Sequence, residues 1–365
     1  MSPIASYIPH RVSFIQKIKI KFFRLFRLRR GPSLKLYTGF GNADSCTIYG
    51  HALSLCPLPR KKYRRAFWVN SLSLLRMFMV TPIKGATVKL LWEGAEWETV
   101  TQKDGFFKFE WKPSATLQPG SFTVKALLMK KNTSHKTIAT AEAEVIVPSS
   151  TQFAFISDID DTFLVSHSTN LRKRLFVLLT ENARSRRPFE GAVNHYRALH
   201  GIDDHLKEDN AFFYVSSSEW NLHDYIREFV RQNHLPEGVF LLNQLKTFSK
   251  LFSTGQGNHD GKFFRIVRIL EAYPQQVFVL LGDDSQKDID IYSSVVQHFP
   301  KNIYCVYIRR VRTPEKPHVR EMQKEIEKAG VQFFYFAHSD EAIAHSKSIG
   351  LISTSNFAVK TESRD

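Results

Sequence analysis

Cysteine is scarce in this chain, with three in 365 residues. Cys46, Cys56 and Cys305 form no C-x-x-C pair and their number is odd. That argues against a disulfide scaffold or a zinc site and fits a reducing compartment. Long apolar runs are missing too. No stretch of 18 uncharged apolar residues occurs, and the run from Ser71 to Pro82 is broken by Arg76 and too short to span a bilayer. The opening MSPIASYIPHRVSF lacks the basic-then-apolar layout of a secretory signal. Acidic residues are in deficit, 35 against 51 Lys and Arg, which leaves a net charge of +16. A surface of that sign attracts phosphate in any form. With no C2H2 spacing and no RNA-recognition signature, nucleic acid is not an expected partner. The expected location is cytoplasmic, with the periphery of an anionic membrane as a second station.

What is abundant is phenylalanine, thirty residues of it, within an apolar fraction of 43%. That is enough to build a sizeable core in a chain long enough for one large domain and a smaller one. The pattern divides the chain in four. Residues 1–32 form a basic lead segment in which Ile15, Ile18, Phe22, Leu25 and Phe26 share a face at helical spacing. Such a helix suits an anionic membrane surface, although Lys19 and Arg29 border the face and KIKIK also alternates like a strand. Residues 33–150 read as a small all-β, sandwich-like domain. Short β-rich runs such as ATVKLLWEG, FFKFEWK and AEAEVIVP are punctuated by Glu93-Gly94, Asp104-Gly105 and Pro119-Gly120. The basic-then-apolar run Pro59–Phe78 is expected as a helical insertion or long connection. From 151 to 350 strands alternate with helices, the signature of a parallel sheet whose site lies at the carboxyl ends of its strands. Residues 351–365 are a tail.

The sharpest feature of that last domain is FISDIDDTF. An apolar strand ends at Ser157, and Asp158, Asp160 and Asp161 follow within four residues, then Thr162. Carboxylates packed this densely at a strand end call for a cation, and magnesium with oxygen ligands answers the need. The D-x-D-x-T spacing permits a division of labour. Asp158 attacks phosphorus, Asp160 protonates the leaving oxygen and later deprotonates water, and Thr162 holds the loop or the substrate. A second strand end supplies VSSSEW, where Ser216, helped by Ser217, is placed to hold a phosphoryl oxygen. The bland alternative is helix capping by Ser218 or Asn221. Lys262 opens a helix after STGQGNHDGK and is placed to neutralise the phosphoryl group, although a lone lysine there also reads as a solvated one. The third strand end, LLGDDSQKD, brings Asp283, Asp284 and Asp288. Asp283 is the expected magnesium ligand beside Asp158 and the backbone carbonyl of Asp160, with Asp288 binding directly or through water. Read alone, the run is also compatible with an acidic turn.

Taken together, the four motifs follow the order of the haloacid dehalogenase superfamily. More narrowly, SDIDDT, NARSRRPFEGAVNHYRALH, FFYVSSSEWNLHDYI, HDGKFFRIVRIL, VFVLLGDDSQKDIDIY and VYIRRV resemble one phosphatidate phosphatase catalytic domain family. That family is first known from a yeast actin-patch-associated protein, and YTGFGN with the β-rich segment resembles its bacterial members. The resemblance implies a Rossmann-like haloacid dehalogenase core, magnesium dependence and hydrolysis of phosphatidate to diacylglycerol. It implies Asp158 as nucleophile, Asp160 as acid and base, Ser216 and Lys262 on the phosphoryl group, and Asp283 on the metal. Lipin-type phosphatases share a similar D-x-D-x-T. The chain departs from the family at Glu219, usually Pro, and at GDDSQKD, usually GDSGxxD, so that Asp284 adds a charge and Ser285 replaces a glycine. Two other functions are open to the sequence: hydrolysis of a soluble phosphomonoester, and a catalytically inactive binding protein of the same fold.

Overall fold

The computed structural model describes residues 28–57, 76–131, 133–149, 153–159, 191–201, 209–247, 258–284, 287–311 and 317–352. Asp160, Asp161, Thr162, residues 163–190, most of the lead segment, most of the run Pro59–Phe78 and most of the tail lie outside them. Described residues before 150 form strands almost throughout. They are β1 (Leu28–Leu36), β2 (Gly39–Gly41), β3 (Cys46–Pro57), β4 (Thr81–Pro82), β5 (Thr87–Trp92), β6 (Ala95–Val100), β7 (Phe106–Trp111), β8 (Gly120–Lys130) and β9 (Thr133–Val147). Strand β1 thus takes in Leu28–Pro32, which the charge pattern had grouped with the lead segment.

Alternation explains these strands. In β7, Phe107, Phe109 and Trp111 are buried while Phe106, Lys108 and Glu110 are less so, the period of two that puts one face on a core. The β5–β6 hairpin closes with Trp92 opposite Ala95. Its two central residues, Glu93 and Gly94, have φ of 49° and 81°, the left-handed pair a tight two-residue turn needs. The strands run in the order β1-β3-β2-β9-β8-β5-β6, with β4 and β7 also paired to β3. Val88 and Leu90 of β5 and Ala126 and Leu128 of β8 share one core with Ile48 of β3 and Phe107 of β7. Strands far apart in the ladder therefore meet, and the ladder folds over itself.

The second region is a parallel sheet of six strands: β10 (Phe153–Asp158), β11 (Phe212–Glu219), β12 (Val239–Asn243), β13 (Val277–Asp283), β14 (Ile303–Arg309) and β15 (Gln332–Phe336). Every ladder in it is parallel. Phe155, Ile156, Phe213, Val279 and Leu280 are fully buried, as expected of strands without a solvent face. The α-helices among the described residues are α1 (Ala192–His200), α2 (His223–Gln232), α3 (Asn258–Ala272), α4 (Asp288–His298), α5 (Pro317–Lys328) and α6 (Ser339–Ser348). Helices α3, α4 and α5 pack in series, and α1 packs on α6. The strand order is β12-β11-β10-β13-β14-β15. The chain builds outward from β10 to one edge, then returns beside β10 and builds to the other. This is the doubly wound order, and its reversal opens a crevice at the carboxyl ends of β10 and β13.

The two regions share a core. Tyr37, Phe40, Tyr49 and Leu53 belong to the same buried cluster as Phe213, Trp220 and Tyr273. Tyr37 stacks on Trp220 with ring centres 4.1 Å apart. Polar ties fix the contact: Asn42 Nδ2 donates to the Ala272 carbonyl at 2.7 Å, and Lys35 pairs with Asp224 at 2.7 Å.

Candidate active site

The sheet register brings the motifs together. Asp158 ends β10 opposite Val215 of β11, one residue before Ser216, and Ser157 lies opposite Leu281 of β13, two residues before Asp283. Three strand ends thus carry Asp158, Ser216 and Asp283 to one level of the crevice. Asp288 opens α4 and Lys262 lies in the first turns of α3. Asp158, Lys262, Asp283 and Asp288 are each 2% exposed or less.

Carboxylate oxygens of Asp158, Asp283 and Asp288 lie within 4.8 Å of one another. The Lys262 ammonium sits 2.7 Å from Asp158 Oδ1 and also pairs with Asp288. Burial alone would push the Lys262 pKa down, but the two carboxylate charges and their hydrogen bonds outweigh it and hold it above the ordinary lysine value. This placement removes the reading of Lys262 as a solvated surface lysine. Lys262 and, opposite Asp283, Arg309 are the cations set against three buried carboxylates among the described residues, a balance that still favours a further cation. Hard oxygen donors clustered this closely suit a magnesium-like divalent ion, so the residues present fit one.

Gly282 makes the cluster possible. A Cβ at that position would meet the Tyr292 ring at 2.7 Å and Asp288 Oδ2 at 3.0 Å. Only the missing side chain lets the start of α4 close on the end of β13. Asp284, by contrast, does not join the cluster. Its Oδ1 accepts from the Val311 amide at 2.8 Å and its Oδ2 from the Tyr335 hydroxyl at 2.7 Å, so the extra charge of GDDSQKD ties β13 to β15.

Ser216 is fully buried, and its Oγ accepts from the Ser218 amide at 2.8 Å. Ser217 is half-buried beside it. The capping alternative is not what the side chains do. Helix α2 has no side-chain cap at its start. Asn221 donates instead to the carbonyls of Met77 and Lys246, at 3.0 and 2.9 Å. Glu219, the departure from the family's proline, pairs with Lys246 at 2.8 Å and so braces the same junction.

Three residues of the surrounding shell escaped the sequence reading. Arg265, one turn after Lys262, donates to the Ser216 carbonyl at 3.1 Å. The Tyr196 hydroxyl lies 2.8 Å from Ser157 Oγ, directly beneath Asp158 in the strand. Arg309 ends β14 opposite Asp283. Burial pushes the Arg309 guanidinium pKa down, and Tyr196 and Asp283 push it back up. A signal for Arg309 was in the sequence, an arginine closing the apolar run VYIRR. Tyr196 and Arg265 sit on helix faces and gave none.

Comparison with known proteins points at this same region. Residues 153–310 match the family model described as phosphatidate phosphatase APP1, catalytic domain. The phosphatidate phosphatase APP1 of Saccharomyces cerevisiae is 29% identical over 154 residues, 42% of this chain and 25% of that protein. An uncharacterized protein of Schizosaccharomyces pombe is 23% identical over 220 residues, 60% of this chain and 35% of its own. The chain therefore spans a quarter to about a third of the length of these curated relatives. Among solved structures, a carbohydrate acetylesterase of Xanthomonas citri aligns at 9% identity with a TM-score of 0.33, over 85% of this chain and 69% of its own. A likeness that weak carries no argument. The region from 153 to 310, which holds every carboxylate of the cluster, is thus the part of the chain that is similar to the phosphatidate phosphatase APP1 catalytic domain.

Proposed function

We propose that the chain is a phosphatase that removes phosphate from phosphatidate to give diacylglycerol, acting through an aspartyl-phosphate on Asp158. The observation that carries this is the buried cluster of Asp158, Asp283 and Asp288 around Lys262 at the switch point of a doubly wound sheet. The order of motifs along that sheet supports reading it as a haloacid dehalogenase core.

In this reading Asp158 attacks phosphorus as the ester oxygen leaves, and Asp160 delivers the proton that makes diacylglycerol. Asp160 then takes a proton from water, whose oxygen attacks the phosphoryl group and releases phosphate, restoring Asp158. Lys262 steadies the Asp158 carboxylate and meets the phosphoryl charge as it arrives. Ser216, with Ser217 beside it, offers hydroxyl and amide groups to a phosphoryl oxygen, and Thr162 does so from the D-x-D-x-T loop. Magnesium would be held by Asp158, Asp283, Asp288 and the Asp160 carbonyl, and would supply charge stabilisation to the transferring group. Among the described residues no helix is long and apolar enough to cross a membrane. In this reading the basic lead segment is the surface that meets a lipid substrate.

Phosphate release from phosphatidate in mixed micelles, with magnesium or with EDTA, tests the reading. Turnover is expected with magnesium only, and Asp158→Asn should lower it at least about a thousandfold. Turnover of soluble phosphomonoesters alone would keep the chemistry and discard the lipid. An inert wild-type protein would reject the enzyme.

A further inference from the structure

A groove of about 470 Å³ runs along α3 between the β-rich region and the parallel sheet. That volume lies in the range of sites for small organic ligands. Both regions build it. Gln102 and Phe106 come from the β-rich side, Trp220 from the turn that follows β11, and Arg265 and Arg268 from α3. Gly261 also lines it and is joined to Lys262 by one peptide, about 3.8 Å between Cα atoms. Asn243, the last residue of β12, puts the groove on the carboxyl side of the sheet, as the cluster is.

The lining is amphiphilic. Phe106 and Trp220 give apolar surface, and the two arginines give donors. Arg265 reaches the Ser216 carbonyl at 3.1 Å and Arg268 the Tyr49 hydroxyl at 3.1 Å, contacts that hold both guanidiniums along the wall. His51 lines the groove as well. Its Nδ1 is 3.0 Å from the Tyr37 hydroxyl, while its Nε2, although buried, has no partner among the described residues. A buried polar atom in that state suits a ligand that completes its hydrogen bonding.

We propose that this groove receives the ester-linked glycerol portion of the substrate, the ester oxygens meeting Arg265, Arg268 and His51 and the first acyl carbons lying on Phe106 and Trp220. The inference rests on the reading of the cluster as a phosphatidate phosphatase site. It gives the β-rich region a share of substrate selection.

The test compares dihexanoyl phosphatidate, a short soluble diester, with glycerol 3-phosphate, which has the same phosphate and no esters. Gln102→Trp fills the groove from an exposed position, and Arg268→Met removes an exposed donor. In each, the ratio of kcat/KM for the diester over glycerol 3-phosphate is expected to fall about tenfold, the cost of roughly 1.4 kcal/mol of binding, with the change in KM. A merely structural role would lower both substrates together, and an unchanged ratio overturns the proposal. If neither ester is hydrolysed, the catalytic reading fails by itself, and calorimetric titration with dihexanoyl phosphatidate still decides the groove. Binding to the wild type that Gln102→Trp weakens about tenfold supports it. Equal binding, or none to either protein, overturns it.

Discussion

Asp283 and Asp284 are neighbours with opposite duties. Successive side chains along a strand point to opposite faces, so only one of an adjacent pair can enter the cluster. Asp283 enters it, and Asp284 turns to Val311 and Tyr335. Asp283→Asn is expected to weaken magnesium dependence at least about tenfold with little change in folding. Asp284→Asn should leave magnesium dependence in place and cost about 1–3 kcal/mol of stability. Magnesium titration of activity beside urea unfolding of both variants separates the two. Gly282→Ala joins the effects. Its Cβ drives into the Tyr292 ring and Asp288, so about 1–3 kcal/mol of stability should go together with activity. Composition and spacing had marked the carboxylates and Lys262 as a group. They singled out Asp283 over Asp284 as the ligand but did not reveal that Asp284 turns to Val311 and Tyr335, because strands distant in sequence bring those partners to it.

At the scale of elements, the parallel strands were legible wherever burial on both sides left an unbroken apolar run. FAFIS, FFYV, VFVLL and IYCVYI needed no periodicity to be read. Strand β12 was not read as a strand. Val239–Asn243 is a run of five residues between a proline-glycine stretch and a polar loop, too short to separate from a turn. The order β12-β11-β10-β13-β14-β15 was not legible at all, since strand neighbours are long-range choices with no local trace. The same holds for the contact of Asn42 with the end of α3. Asn42 Nδ2 satisfies the Ala272 carbonyl, one of the last-turn acceptors that a helix leaves open. Asn42→Ala is expected to cost about 1 kcal/mol in urea unfolding and to leave α3 less protected in its last turn by hydrogen exchange.

For the whole molecule, buried histidines set the acid limit. Burial, with Lys35 and His223 adding to it, brings the His51 pKa down to about 3, and burial with Arg309 and His345 does the same for His195. Both values lie below the ordinary 6.5, so the unfolded chain binds more protons between those limits. Their contribution to stability is complete above about pH 6.5 and is lost as the pH falls toward 3. The slope is at most about 1.4 kcal/mol per pH unit for each histidine. Urea midpoints at pH 7.5, 6 and 5 should fall in that order, and His195→Gln should flatten the trend. His51 belongs to the β-rich region and His195 to the parallel-sheet region, and one buried cluster joins the two regions. Acid should therefore unfold them in one transition, seen alike by far-ultraviolet and aromatic circular dichroism.

The stack of Tyr37 on Trp220 has an optical consequence. Of the five tryptophans, at 68, 92, 97, 111 and 220, only the last lies between 153 and 310. It stands where the two regions meet and on the wall of the groove. The chain thus carries its own fluorophore at the seam. With the other four replaced by phenylalanine, a red shift in emission would report the seam opening to water, and quenching without a shift would report a ligand entering beside it.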